Sequence, residues 1–203
     1  MPLLGIIQAR LGSTRFPRKV LAPLAGQPLL RHVVDRVRAI PSVETIVVAV
    51  PAGDERDIAH AAGPGVAVMA HPGPEGDVLA RFASVVETFH SYASVMRITS
   101  DCPLLNPDIA ESVVQLHQES GACYTWNVAP GYVDGEDVEV ITREAILWAH
   151  QRATDAEDRE HVTPFIRRHL TVSTLPPPDD RGWMTKTSVD TMADLTRVRK
   201  LLQ

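Results

Sequence analysis

Cysteine is almost missing from this sequence: Cys102 and Cys123 are the only two among 203 residues. So few thiols exclude a disulfide scaffold, and two alone make a poor zinc site, so both are expected to be buried free thiols. No run approaches the roughly 20 apolar residues of a membrane span. The opening "MPLLGII" has neither the basic flank nor the apolar length of a signal peptide, so a cytoplasmic protein with no membrane partner is expected. A basic excess is also lacking, with 20 Lys and Arg against 25 Asp and Glu and a net charge of -5. That balance argues against a sequence-independent nucleic-acid partner, so any anionic ligand has to be met locally. Neither a Walker pattern (GxxxxGK[ST]) nor a dinucleotide fingerprint (GxGxxG) occurs.

What is present is alternation. Apolar β-branched runs at 3–9, 44–50, 66–70 and 94–100 are separated by helical patterns at 28–40, 54–63 and 77–89. In the first helix Leu29, Leu30, Val33, Val34 and Val37 share one face. Strand and helix in alternation predict an α/β fold with a mostly parallel sheet covered on both sides. Ligands of such sheets bind beyond the carboxyl ends of the strands, here just after residues 8, 50 and 100. The second half is less regular: helices over 106–120, 142–153 and 158–169, strands over 123–127 and 183–189, a Gly- and Asp-rich loop over 129–140, a proline turn at 176–178 and a last helix over 193–202. Nothing divides the chain, so one domain over 1–203 is expected. The aromatic-rich segment 123–141, with Tyr124, Trp126 and Tyr132, reads as an insertion that roofs a substrate cleft or joins two copies in a homodimer.

The segment "ARLGSTRFPRK" (9–19) follows the first strand directly. Gly12, Ser13 and Thr14 can turn tightly and present backbone N–H groups, while Arg10, Arg15, Arg18 and Lys19 supply charge that only a polyanion such as a triphosphate would neutralise. Asp101 closes a strand on the same edge. A carboxylate beside a phosphate site needs a hard divalent cation between the two, and Mg²⁺ is the economical choice. Asp190 follows another expected strand and would complete a two-carboxylate site; its bland alternative is to cap the last helix. Arg143, Arg167 and Arg168 could bind a carboxylate of an acceptor, but read rather as solvated helix faces.

The stretch "IIQARLGSTRFPRKVLAPLAGQPLLRHVVDRV" resembles the amino-terminal signature of the cytidylyltransferases that make CMP-activated acidic sugars, and more closely the SpsF-like branch of spore coat polysaccharide biosynthesis. "RITSDCPLLNPD", "DGEDVEVITREAI", "DREHVTPFI" and "SVDTMADLTRVRKL" are similar to that branch in order and spacing, so the likeness spans nearly the whole chain. The resemblance implies a Rossmann-like, three-layer nucleotide-diphosphosugar-transferase fold. It further implies transfer of CMP from CTP to a sugar-acid acceptor. Gln8, Ala9, Arg10, Gly12, Ser13, Thr14, Arg15 and Lys19 would hold the nucleotide, with Gly76, Asp77 and Arg81 beside them; Asp101 and Asp190 would hold Mg²⁺; and Glu136, Asp137, Glu139, Arg159, Glu160 and His161 would fall in the region that shapes the sugar side and the dimer contact.

Three positions depart from the pattern. Arg18 stands where relatives have a glycine before the lysine, Ser100 where a glycine or alanine precedes the aspartate, and "VAVPAGDE" (48–55) lacks the usual hydroxyl-bearing base contact. The alternatives are a metal-dependent glycosyltransferase, disfavoured because Cys102 and Pro103 follow Asp101 where a DxD pair would stand, and a catalytically silent nucleotide-binding protein.

Overall fold

The structure, a computed structural model, describes residues 2–127, 131–177 and 185–202. Parts of the expected 123–141 insertion (128–130), of the proline turn (178) and of the strand at 183–189 (183–184) lie outside the described residues.

Nine strands and eight α-helices are described: β1 (Leu3–Gln8), β2 (Pro23–Leu24), β3 (Gln27–Pro28), α1 (Leu29–Arg38), β4 (Val43–Pro51), α2 (Glu55–Ala62), β5 (Ala67–His71), α3 (Val78–Thr88), β6 (Ser94–Thr99), α4 (Pro107–Ser120), β7 (Tyr124–Trp126), β8 (Glu139–Thr142), α5 (Arg143–Arg152), α6 (Ala156–His161), α7 (Pro164–His169), β9 (Val172–Thr174) and α8 (Met192–Leu201). Seven strands form one sheet in the order β5-β4-β1-β6-β8-β7-β9, while β2 and β3 pair separately. β8 runs antiparallel to both its neighbours and the other pairings are parallel, which gives the mostly parallel α/β sheet that the alternation predicts.

Alternation along each strand feeds two cores. On β1, Leu3 and Ile7 pack with α1, α2, α4 and α8, while Leu4 and Ile6 pack with α3, α5 and α7. The result is three layers, helix on sheet on helix. Gly5 lets the first layer close tightly, since a Cβ there would lie 3.1 Å from Val37 Cγ1 and from Val43 Cγ1. Helix ends follow local chemistry: Asn106 accepts from the backbone N–H of Asp108 at the start of α4, and Thr142 accepts from that of Ala145 at the start of α5.

Three local expectations are corrected. The helix expected over 158–169 is two short helices, because Pro164 cannot continue α6 and Val162 takes a left-handed φ of 68° between them. Asp158 lies buried inside α6, paired with Arg168 at 2.6 Å. Residues 185–189 form no strand, since their backbone partners are loops: Thr187 N donates to Asp134 O at 2.8 Å and Val189 N to Asp101 O at 2.9 Å. Of the two free thiols, Cys102 is buried as expected but Cys123 is half-buried.

The segment 185–190, a strap bonded to the loops at Asp134 and Asp101, depends on Gly135. Its φ is 113°, and a Cβ there would collide with Thr187 Oγ1 and sit 2.5 Å from Ser188 N. Gly135→Ala is therefore expected to destabilise the fold by about 1–3 kcal/mol, read as a lower urea midpoint, and to displace the strap together with Asp190.

His117 on α4 is buried between Ser94 Oγ and Thr125 Oγ1, 3.0 Å from each. Burial lowers its pKa below the ordinary 6.5, so the fold favours the neutral ring. Its stabilisation is complete above pH 6.5 and lost as pH falls below that value, because the unfolded chain takes up the proton first. The urea midpoint is expected to drop on acidification from pH 7.5 to 5.5, and His117→Gln to flatten that drop.

Candidate nucleotide site

Beyond the carboxyl ends of β1 and β6 lies a cavity of about 280 Å³. It is lined by Gln8, Ala9, Arg10, Ser13, Thr14, Arg15, Lys19, Val78, Arg81, Thr99, Ser100, Asp101, Glu160, His161 and Asp190. Twelve of these are residues that the sequence nominated, drawn from positions 8 to 190 and brought together by the sheet edge.

Lys19 opens a single 3-10 turn, Lys19–Leu21, and its side chain is mostly buried. Its ammonium donates to Asp101 Oδ2 at 2.7 Å, Val189 O at 3.1 Å and Asp190 Oδ1 at 3.3 Å. Asp190 also meets Arg15 at 3.0 Å and Lys186 at 2.9 Å. Burial pushes its carboxyl up, but hydrogen bonds from Lys186 and Lys19 outweigh that and hold it below the usual carboxylate range. Asp190 is not the helix cap: Thr191 caps α8 in a reciprocal capping box with Asp194.

Arg10 pairs with Glu75 at 3.2 Å. Gly12 makes room for that carboxylate, since a Cβ there would lie 2.7 Å from Glu75 Oε1. Arg81 is 3% exposed; it donates to Glu75 O at 2.8 Å, and its Nε has no hydrogen-bond partner among the described residues. Burial and then Arg10 lower its pKa, as expected of a cation short of compensating charge. A ligand oxygen in the cavity would satisfy it.

Arg18 points elsewhere. Its backbone is left-handed at φ 57°, the conformation that glycine adopts most readily, and its guanidinium leaves the cavity to pair with Asp57 of α2 at 2.5 Å. Asp54, within the 48–55 segment, accepts from Leu11 N at 2.8 Å and so anchors the basic loop. Asp54 and Glu75 were both missed by the sequence reading. Only the rule about strand ends after residue 50 pointed near Asp54, and nothing local marked Glu75.

Several nominated residues lie outside this cavity. Asp77 caps α3 through Ala80 N and pairs with Arg159 at 2.8 Å, which ties α3 to α6. Burial raises the Asp77 pKa, but the Arg159 hydrogen bond brings it below the ordinary value. Gly76 lines neither described cavity, and Glu136 is buried beside Asn127, which donates to its backbone carbonyl at 2.8 Å.

Asp137, Glu139 and His161 line a second cavity of about 330 Å³ with Arg97, Thr99, Trp126, Glu157, Thr163, Pro164 and Arg167. The two cavities share Thr99 and His161. Glu139 is fully engaged by Arg97, by Tyr124 Oη at 2.6 Å and by Thr163 Oγ1 at 2.9 Å. Burial, then Asp134 and Glu139, push the Asp137 carboxyl up to about 6. Tyr124 is a core residue, Trp126 donates to Thr174 Oγ1 at 2.8 Å and Tyr132 to Pro176 O at 2.9 Å, so the aromatics of 123–141 have work within the chain. Arg143 donates to Val86 O at 3.1 Å and Arg168 pairs with Asp158. Arg167 stacks 4.5 Å over the Trp126 ring and has no carboxylate partner among the described residues.

A family model described as "Cytidylyltransferase" matches residues 4–194. The chain is 34% identical over 214 residues to the spore coat polysaccharide biosynthesis protein SpsF of Bacillus subtilis, covering 99% of this chain and 86% of that protein. It is 40% identical over 111 residues to a 3-deoxy-manno-octulosonate cytidylyltransferase of an Anaeromyxobacter species, a match that covers 54% of this chain and 44% of that enzyme. Among solved structures, a cytidylyltransferase from Leptospira borgpetersenii superposes with a TM-score of 0.87 at 24% identity, covering 98% of this chain and 86% of that one. A CMP:2-keto-3-deoxy-manno-octonic acid synthetase complexed with CTP superposes at 0.73 with 17% identity, over 100% of this chain and 98% of that one. Both likenesses concern the fold.

Proposed function

Because this chain belongs to the cytidylyltransferase family, we propose that it transfers CMP from CTP to a sugar acid and releases pyrophosphate. The observation that carries this reading is the 280 Å³ cavity, in which Arg10, Arg15, Lys19 and the under-compensated Arg81 surround the carboxylates of Asp101 and Asp190.

Mg²⁺ is part of the proposal, and the donor chemistry fits it. Asp101 and Asp190 are hard oxygen donors that meet at one point, and Mg²⁺ is commonly held by one or two carboxylates with phosphate oxygens and water completing its shell. No group of three or more His, Cys, Asp or Glu side chains suited to an ion occurs among the described residues, so two protein ligands are what the site offers. When bound, the ion supplies polarisation of the phosphoryl oxygens. The chain's own part is to bind and orient: Arg10, Arg15 and Lys19 hold the β- and γ-phosphates, Ser13 and Thr14 turn the loop around them, and Arg81 satisfies its Nε on the nucleotide. An acceptor hydroxyl oxygen then bonds to the α-phosphorus in line with the departing oxygen, its proton passing to solvent water. The bond from that phosphorus to the bridging oxygen breaks, and pyrophosphate leaves with the electron pair against the same cations.

The second cavity, joined to the first through Thr99 and His161, is the acceptor side of this proposal. Arg167, whose guanidinium carbon lies 4.5 Å over the Trp126 ring, is suited to a carboxylate. Arg167→Met is expected to raise KM for the acceptor about tenfold or more while leaving KM for CTP unchanged, since hydrogen bonds to charged groups are each worth roughly 1.5–3 kcal/mol.

The whole reading is tested by pyrophosphate release from CTP, ATP, GTP and UTP with Mg²⁺ and a panel containing 3-deoxy-manno-octulosonate, other sugar acids and their neutral parent sugars. Release that needs both CTP and an acid is the expected result. If no acid supports release, or the four nucleotides serve equally, the reading is wrong.

A further inference from the structure

We propose that Lys19 holds the place of the divalent cation between Asp101 and Asp190 until nucleotide arrives, so that the metal and the triphosphate enter the site together. This inference rests on the function proposed above and adds an order of events to it.

An ammonium has three hydrogens to donate. All three of Lys19 are committed: to Asp101 Oδ2 at 2.7 Å, to Asp190 Oδ1 at 3.3 Å and to the carbonyl of Val189 at 3.1 Å. The side chain is 13% exposed and the two carboxylates 24% and 19%, so water does little to loosen the cluster. Lys19 thus cannot grip a phosphate oxygen without releasing one of these acceptors, and a cation cannot draw both carboxylates to itself without displacing the ammonium. The two rearrangements are one movement. A phosphate that pulls Lys19 outward frees the aspartates, and the oxygens of that same phosphate supply the ligands that two carboxylates leave wanting.

The neighbouring cations do not share this position. Arg15 and Lys186 reach Asp190 at 3.0 and 2.9 Å, but neither has an ion pair with Asp101, and Lys186 is shared with Asp134 at 3.0 Å. Lys19 alone among the described residues pairs with both aspartates.

The test is Mn²⁺ binding, followed by electron paramagnetic resonance, on the full chain. Without nucleotide, Lys19→Met is expected to bind Mn²⁺ about tenfold more tightly than the wild type, since an ammonium in direct contact with both ligands is gone. The same variant is expected to bind CTP more weakly. Lys186→Met removes an equal charge beside Asp190 without clearing the position between the carboxylates, and its gain in Mn²⁺ affinity is expected to be clearly smaller. Adding Asp190→Asn to Lys19→Met should abolish the gain.

Equal gains in the two lysine variants would show that charge alone matters and would overturn the inference, as would an unchanged Mn²⁺ affinity in Lys19→Met. Lys19→Gln, which can still hydrogen-bond the carboxylates, is the substitute should the methionine variant fail to fold, and the same comparison decides. Because the Mn²⁺ comparison contains no nucleotide, it stands apart from the functional reading, whose failure would show as absent CTP binding and absent pyrophosphate release in the wild type.

Discussion

Asp101→Ala is expected to lower pyrophosphate release by about a thousandfold or more while leaving the protein folded. Metal-assisted charge stabilisation is worth several kcal/mol, and each ~1.4 kcal/mol is tenfold in rate. Asp101 lies two residues past the end of β6, and its carboxylate is held by Lys19 at 2.7 Å. Its backbone carbonyl accepts from Val189 N at 2.9 Å, so the strap that carries Asp190 stays attached when the side chain is removed. Asp101→Asn keeps the shape without the charge and is expected to be nearly as inactive. Initial rates at saturating CTP, alongside thermal unfolding, make the comparison. A variant that keeps a tenth of the wild-type rate would remove Asp101 from the metal site.

The second large effect is expected in stability. Arg97→Met should destabilise the fold by about 3–5 kcal/mol, the cost of leaving a buried charge without its partner. Arg97 on β6 lies directly across from Glu139 on the antiparallel β8, and the two form an ion pair whose side chains are only 13% and 9% exposed. Glu139 would keep Tyr124 and Thr163 as donors but lose its one countercharge, with Asp137 nearby raising the cost further. Arg97 also donates from Nε to Gln8 Oε1 at 3.1 Å, so the substitution frees a side chain that lines the 280 Å³ cavity. Urea unfolding would measure the loss. The double variant Arg97→Met with Glu139→Gln should recover part of it, because the uncompensated charge is then gone as well. A loss below about 1 kcal/mol would mean that the pair behaves like a solvated surface bridge.

The layers of this protein were legible in the sequence because they depend on periodicity, which is local. Alternation in "LLGIIQ" sends Leu3 and Ile7 to one core and Leu4 and Ile6 to the other. The five apolar residues nominated on α1 are all buried. The basic loop and Asp101 were legible for a related reason, since parallel strands place their carboxyl ends along one edge and the chemistry-bearing residues follow those ends. Asp190 was nominated on an expected strand that does not form, and its loop reaches the same edge through Val189 N, which donates to Asp101 O at 2.9 Å.

What the sequence left open was which charges answer which. The distances along the chain are long: Lys19 meets Asp190 across 171 residues, Arg97 meets Glu139 across 42, and Arg159 meets Asp77 across 82. No local pattern encodes such pairs. Arg18 therefore looked equivalent to the cations of the basic loop and Arg159 read as a sugar-side residue, and only the packed structure turns one toward Asp57 and the other toward Asp77. The same cause explains the missing strand at 185–189. Its residues are suited to a sheet, but the edge of β9 is not where the chain passes, and the backbone groups pair instead with the loops at Asp101 and Asp134. A strand needs a partner, and partners are assigned by tertiary structure. The sequence by itself determined the sheet, its two covering layers and the edge that carries the candidate site. The folded chain decided the ion pairs at that edge, because a charge settles on whichever opposite charge the packing brings near, and strand periodicity carries no information about that choice.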